Sequence, residues 1–348
     1  MSQKLLSIIV PVYKVEIYIN KCLDSLLVPK DQLELLDIVI INDGTPDRSA
    51  DMAREYEKRY PGIFRVIDQE NRGHGGAWNH GTELATGKYL FYLDSDDWFD
   101  TEQFSKLIDF LGTCDTDMVL MDRTKYYAYE NREEIVELGN MDPDRIYDAG
   151  TYDWLHCGNG PNITYAHNTA YRTSMMQKYL PIFCEHVMYD DVILQVMPIM
   201  VAESFVYTKL NVYHYLIGRP GQSFDPAVRA KHADNVTVVL KQVMAFIGKN
   251  RNVPPEGSTR KEWSENLYSA FPAHHYRELS IFGYQGSRDR LFAWDAYVKE
   301  HYPDIRLTRT VRQYRRLPYP AFFVWFKVSE SFARVKRYID KRCFNKKR

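Results

Sequence analysis

The first 120 residues alternate short β-branched runs with stretches of helical apolar spacing, and no other feature of the chain restricts its fold as much. Leu6 to Val12, Leu36 to Asn42, Phe64 to Asp68, Lys88 to Asp94 and Met118 to Met121 read as strands. Between them, Val15 to Leu27, Arg48 to Tyr60, Gly75 to Ala85 and Thr101 to Leu111 space their apolar residues as helices do. Such alternation builds βαβ units, so the expected class is α/β: a mostly parallel sheet with helices on both faces. Farther on, Tyr126 to Asp153 is polar and irregular and reads as an excursion, Asn162 to Arg172 as a strand, Asp190 to Met200 as a helix and Phe205 to Tyr215 as a strand. From Pro226 the apolar spacing is helical. A boundary is therefore expected near Ser223 to Asp225. It separates a sheet domain over 1–223, in halves of about 1–112 and 113–223, from a helical C-terminal region over 224–348.

Charge is divided just as unevenly. The formal net charge of the 348 residues is -1, but residues 306–348 hold 14 of the 45 Lys plus Arg and 2 of the 46 Asp plus Glu. Residues 1–305 are left with 31 bases against 44 acids. The start of the chain has none of the basic region, long apolar region and cleavage site of a secretory signal, and no apolar run approaches the ~20 residues of a membrane span. The expected location is cytoplasmic. Five dispersed cysteines without a Cys-x-x-Cys pair read as reduced, packed thiols.

On open α/β sheets, ligands bind beyond the carboxyl ends of the strands. There this chain places Pro11-Val12-Tyr13, Asn42-Asp43-Gly44 and Asp94-Ser95-Asp96-Asp97. Asp94 and Asp96, two apart in an extended segment, would face one ligand and could share a divalent ion with phosphate oxygens. Asp-x-Asp by itself equally describes an acidic turn. Tyr13 can lay its ring on a base or pack in the core, and Asp43 can accept from a base or ribose or begin an Asx-turn. Asn71-Arg72-Gly73-His74-Gly75-Gly76 is a glycine-rich turn opening a helix, where backbone amides, the helix dipole and Arg72 favour negative charge.

Taken together, Ser7 to Tyr13, Ile40 to Gly44, Asn71-x-Gly73 with Asn79-x-Gly81, Ala85 to Tyr89 and Phe91 to Asp97 resemble the family 2 glycosyltransferases of the GT-A fold. The likeness is dense over about 110 residues and thinner to about residue 223. It implies inverting transfer from a nucleotide-diphospho-sugar, usually UDP-linked, to a glycan acceptor, with Mn²⁺ or Mg²⁺. By position it implies Pro11, Val12, Tyr13 and Asp43 on the uridine, Asp94 on the ribose or sugar side and Asp96 on the metal. Many relatives have Ala-Arg-Asn-x-Gly where this chain has Ala77-Trp78-Asn79-His80-Gly81, so Arg72 becomes the candidate cation for the donor.

Inversion needs a carboxylate to take the acceptor hydroxyl's proton. The family's acidic pair at a helix start matches Asp190-Asp191, with Asp190 read as structural and Asp191 as the base. Acids there also cap helices without any chemistry. His214, in Tyr213-His214-Tyr215, is a candidate for metal or phosphate. Bacterial members with this layout build capsule, exopolysaccharide or lipopolysaccharide, often on lipid-linked acceptors. In 314–348, aromatic residues interleave with basic ones, a pattern suited to an anionic membrane surface or to a helix packed on the protein. A sugar nucleotidyltransferase would need a basic glycine-rich loop after the first strand, which is absent, and no nucleic-acid recognition motif accompanies the basic tail. A non-catalytic sugar-binding or scaffold protein is the remaining alternative.

Overall fold

A computed structural model describes residues 4–139, 141–155, 163–219, 222, 228, 231–281 and 287–303. The segments 306–348 and 314–348, with the basic aromatic tail, lie outside the described residues.

β1 (Leu6–Val12) is buried along its whole length and is the centre of the first half. It pairs in parallel with β2 (Leu36–Asn42) on one side and with β4 (Tyr89–Tyr92) on the other, while β2 pairs with β3 (Phe64–Asp68). The connections carry α1 (Ile19–Asp24), α2 (Lys30–Leu33), α3 (Ser49–Arg59) and α4 (Gly73–Leu84), as the alternation requires. β5 (Trp98–Phe99), α5 (Thr101–Thr113) and β6 (Met118–Tyr127) follow. Asp100 caps α5, its carboxylate accepting from the Gln103 amide at 2.8 Å.

Three expectations need correction. Tyr126 to Asp153 is not irregular throughout: it contains β7 (Arg132–Val136), antiparallel to β6, and β8 (Ile146–Asp148). The strand foreseen over Asn162 to Arg172 is reduced to β9 (Thr169–Arg172). Ahead of it the Asn168 side chain accepts from the Tyr165 amide and donates to the Ile163 carbonyl, turning the backbone out of the extended form. After α6 (Thr173–Gln177), the helix foreseen over Asp190 to Met200 is a 3₁₀ turn, Asp190–Gln195, followed by α7 (Met197–Val201). Pro198 is the cause. It has no N–H for the Leu194 carbonyl, which takes the Thr164 hydroxyl at 2.7 Å instead.

β10 (Ser204–Ile217) completes the sheet, whose order is β3-β2-β1-β4-β9-β6-β10-β5, with β7 beside β6 and β8 beside β10. β4, β6 and β10 run in one direction; β9, between β4 and β6, opposes both. The core under the first half combines Ile8, Val10, Ile38, Ile40, Phe91, Leu107 and Leu111.

The chain divides into two compact units, Met1–Ser264 and Glu265–Arg348. The first runs on past Ser223 to include α8 (Ala233–Lys249), whose Gln242 donates to the Ile182 carbonyl and accepts from the Cys184 thiol. α9 (Thr259–Ile281) spans the division; α10 (Ser287–His301) belongs to the second unit, where Trp294 is buried with its ring 4.7 Å from that of His275. Among the described residues, no helix is long and apolar enough to cross a membrane.

One buried charge locks the first strands together. The Asp37 carboxylate accepts from Ser7 Oγ at 2.8 Å, from Arg65 Nε at 2.8 Å and from the Thr86 amide and hydroxyl at 3.0 and 2.7 Å. It ties β1, β2, β3 and the turn before β4. Burial opposes its charge, but these donors hold its pKa below the usual carboxylate value. Asp37→Ala strands the Arg65 guanidinium and is expected to cost about 3–5 kcal/mol in denaturant unfolding.

Candidate active site

The carboxyl ends of β1, β2 and β4 open into a cleft of about 680 Å³, closed on the other side by residues 186–191 and the start of α8. Pro11, Val12, Tyr13, Asp43, Asp94, Asp96 and Asp191 all line it, so the chain brings together seven of the nine candidates.

Asp43 is held from its own side of the cleft. Its Oδ1 accepts from the Arg72 amide and from Gln69 Nε2, both at 2.7 Å, and Asn71 Nδ2 donates to its carbonyl at 2.9 Å. Oδ2 has no hydrogen-bond partner among the described residues. Tyr13 lines the cleft with 43% of its surface exposed directly after a buried strand, so it is not a core side chain.

The remaining two candidates are placed differently from expectation. Arg72 contributes its backbone to Asp43, but its guanidinium turns away to pair with Glu185. His214 lies on the opposite face of β10 from Tyr213 and Tyr215, because strand side chains alternate. There it stacks on Trp98 at 5.4 Å, outside the cleft.

Residues 94–97 form a tight turn, with the Asp97 amide donating to the Asp94 carbonyl at 3.0 Å, in place of the extended segment foreseen. In a turn the two-residue alternation fails, and the carboxylate that joins Asp94 is Asp97. Ligand atoms of Asp94, Asp97 and His167 lie within 4.8 Å of one another. Asp97 is held by the Tyr213 hydroxyl at 2.6 Å and the Leu216 amide at 2.8 Å. Asp96 lines the same cleft with its carboxylate paired to Arg219. Two hard carboxylates and an imidazole fit a divalent cation. Burial first, and then Asp96 and Asp94, push the Asp97 carboxyl well above its ordinary value. Burial and Asp94 likewise raise Asp96 against the pull of Arg219.

Across the cleft, Asp190 is buried and does not cap its 3₁₀ turn; its carboxylate faces the His74 ring. Burial works against a charged His74, yet Asp190 and Asp94 on either side hold its pKa well above the usual range. Asp191 is driven up to about 6, by burial first and by Asp190 second, with His167 and His74 pulling the other way. A carboxylate so placed is a proton acceptor near neutral pH.

The glycines of α4 also have a different part from the one foreseen. A Cβ on Gly73 would stand 2.8 Å from the His186 amide nitrogen, and one on Gly75 would stand 2.2 Å from the Cys184 carbonyl and 2.7 Å from Asp190 Oδ2. Their bare faces admit the 183–190 segment against the helix. Sequence reading missed His74, His167 and Asp97 as site residues. Asp97 was signalled by its acidic run, and His74 by its place between two glycines; His167 had no local signal.

An α/β sheet with a carboxylate-rich cleft at its strand ends defines the class, a nucleotide-type binding fold of GT-A architecture. The family model described as Glycosyl transferase family 2 matches residues 7–180, and the chain belongs to that family. EpsH of Bacillus subtilis (strain 168), named as a glycosyltransferase, is 30% identical over 225 residues, 62% of each chain. The chain thus spans 62% of that relative's length. Among solved structures, Staphylococcus aureus TarS 1–349 in complex with UDP superposes with a TM-score of 0.68 at 15% identity, covering 95% of this chain and 91% of that one. The mannosyltransferase PcManGT of Pyrobaculum calidifontis, in complex with GDP-Man and Mn²⁺, gives 0.51 at 16% identity, with 94% and 87% covered.

Gly75→Ala must displace the Cys184 carbonyl and is expected to lower stability by about 1–3 kcal/mol. Gly112→Ala, in α5 with its nearest neighbour 4.0 Å away, is expected to raise it by about 0.4–1 kcal/mol in the same thermal melts.

Proposed function

We propose that the protein transfers a sugar, with inversion, from a nucleotide-diphospho-sugar to a hydroxyl of a glycan acceptor in the assembly of capsule, exopolysaccharide or lipopolysaccharide. The donor is a UDP-hexose or UDP-N-acetylhexosamine, and the ion is Mn²⁺ or Mg²⁺. The observation that carries this reading is the pairing of a cation-type donor set, Asp94, Asp97 and His167, of which Asp94 and His167 line the cleft, with a separate desolvated carboxylate of the same cleft, Asp191.

Pro11, Val12 and Tyr13 offer one wall for the uracil, and Asp43 Oδ2 accepts from its N–H. Asp94, Asp97 and His167 would hold the ion, with Asp96 beside them. Bound there, the cation neutralises charge on the departing diphosphate. Asp191 accepts the acceptor hydroxyl's proton as its oxygen bonds to the anomeric carbon. The bond from that carbon to the diphosphate oxygen breaks on the opposite face, and the electron pair leaves with UDP. The basic aromatic segment 314–348 supports a peripheral position on the inner, anionic face of the cell membrane, where a lipid-linked acceptor would meet the cleft. Its deletion is expected to abolish co-sedimentation with anionic vesicles; unchanged sedimentation removes the anchor.

The direct test is UDP release from a panel of UDP-sugars with Mn²⁺. Release from at least one of them is expected, and none from any sugar nucleotide, UDP- or GDP-linked, overturns the reading. Asp191→Asn is expected to bind UDP with Mn²⁺ as wild type does while losing transfer by about 10²–10⁴-fold. Because the base works ionised and its pKa is about 6, kcat/KM should be flat above that pH and fall tenfold per unit below it.

A further inference from the structure

Two segments carry the carboxylates of the cleft, the turn after β4 and the 3₁₀ turn at 190–195, and one side chain joins them. His74 Nδ1 lies 3.2 and 3.1 Å from the two oxygens of Asp190, and Nε2 lies 2.8 Å from Asp94 Oδ1. Each ring nitrogen thus stands within hydrogen-bonding distance of a different carboxylate, and the ring bridges the two segments. The ring has little freedom to leave. It sits in the first turn of α4, between glycines whose bare faces bring Asp190 to the helix, and its centroid is 4.0 Å from that of Trp78. Asp94 Oδ2 remains directed to His167, 3.7 Å away. Asp191 is the next residue after Asp190, so whatever fixes Asp190 fixes the start of the turn that bears Asp191.

We propose that His74 is a positioning residue for the transfer reaction: a strut between Asp94 and Asp190 that sets where Asp191 meets the acceptor hydroxyl. This rests on the reading of Asp191 as the base. Trp78, packed against His74, Tyr92 and Phe183, is the backing against which the strut is held. A neutral side chain of similar bulk would fill the space and leave Asp190 and Asp94 facing each other unbridged.

The groups acting on Asp191 are Asp190, Asp94, His167 and His74, with the hydroxyls of Tyr165, Tyr171 and Tyr215 nearby. In His74→Ala, calorimetric binding of UDP with Mn²⁺ is expected to stay within about threefold of wild type, with KM for the donor similarly preserved. kcat is expected to fall about 100-fold, the loss typical of a misplaced reacting group. Added imidazole should restore kcat by about tenfold or more. A parallel fall in UDP affinity and kcat with no rescue overturns the proposal. Hydrogen exchange of the metal-free protein provides a readout independent of turnover: in His74→Ala, and in His74→Gln should the alanine variant not fold, amides of 190–195 should exchange faster while β1, β2 and β4 stay protected. Unchanged exchange at 190–195 also overturns it. If wild type binds UDP but turns over no donor, the reading of Asp191 fails, while the exchange result still decides the strut.

Discussion

Charge compensation in a desolvated cleft is the constraint on which the rest of the site depends. Asp94, Asp96, Asp190 and Asp191 line one cavity, with Asp97 buried beside Asp94, and carboxylates crowded out of water repel one another strongly. The chain answers with His74 between Asp94 and Asp190, His167 near Asp94 and Arg219 on Asp96. Burial first, and neighbouring carboxylates second, still raise the carboxyls of Asp97 and Asp191.

The scaffold exists to bring the two acidic segments into register. Asp94 is placed by the parallel sheet, whose strand β4 stops at the surface of the cleft. The segment at 183–191 comes from much later in the chain and has little regular structure of its own. It is held instead by Asn79, which donates to the Phe183 carbonyl and accepts from the Ile182 and Phe183 amides, by Gln242 of α8, and by the bare faces of Gly73 and Gly75. The family's Asn-x-Gly pattern therefore has a structural reading here. Asn79 clamps the incoming segment, while Gly81, whose Cβ would meet Ile9 Cγ2 at 2.3 Å, lets α4 lie close on β1.

Much of the first half was legible because its signals are local. A buried parallel strand is a continuous apolar run and an amphipathic helix repeats every three to four residues, so β1, β2, α3 and α5 fall within a residue or two of their expected places. The later half was harder. The contacts that shape it are made at a distance: Thr164 on the Leu194 carbonyl, Asn168 closing its own turn, and Tyr213 on Asp97. His214 and Arg72 show the same limit in the site. Each has the right chemistry at a plausible position, but strand alternation turns one away and Glu185 captures the other.

By itself, then, the sequence determined the class of fold, the end of the sheet at which chemistry gathers, and the acidic residues that gather there, because periodicity and strand-end motifs are properties of neighbouring residues. Tertiary structure alone decided which of those acids cluster with His167, which is left desolvated, and that His74 stands between the two groups. Those outcomes depend on distances between segments about a hundred residues apart, where the energy of a charge is set by what the fold packs around it.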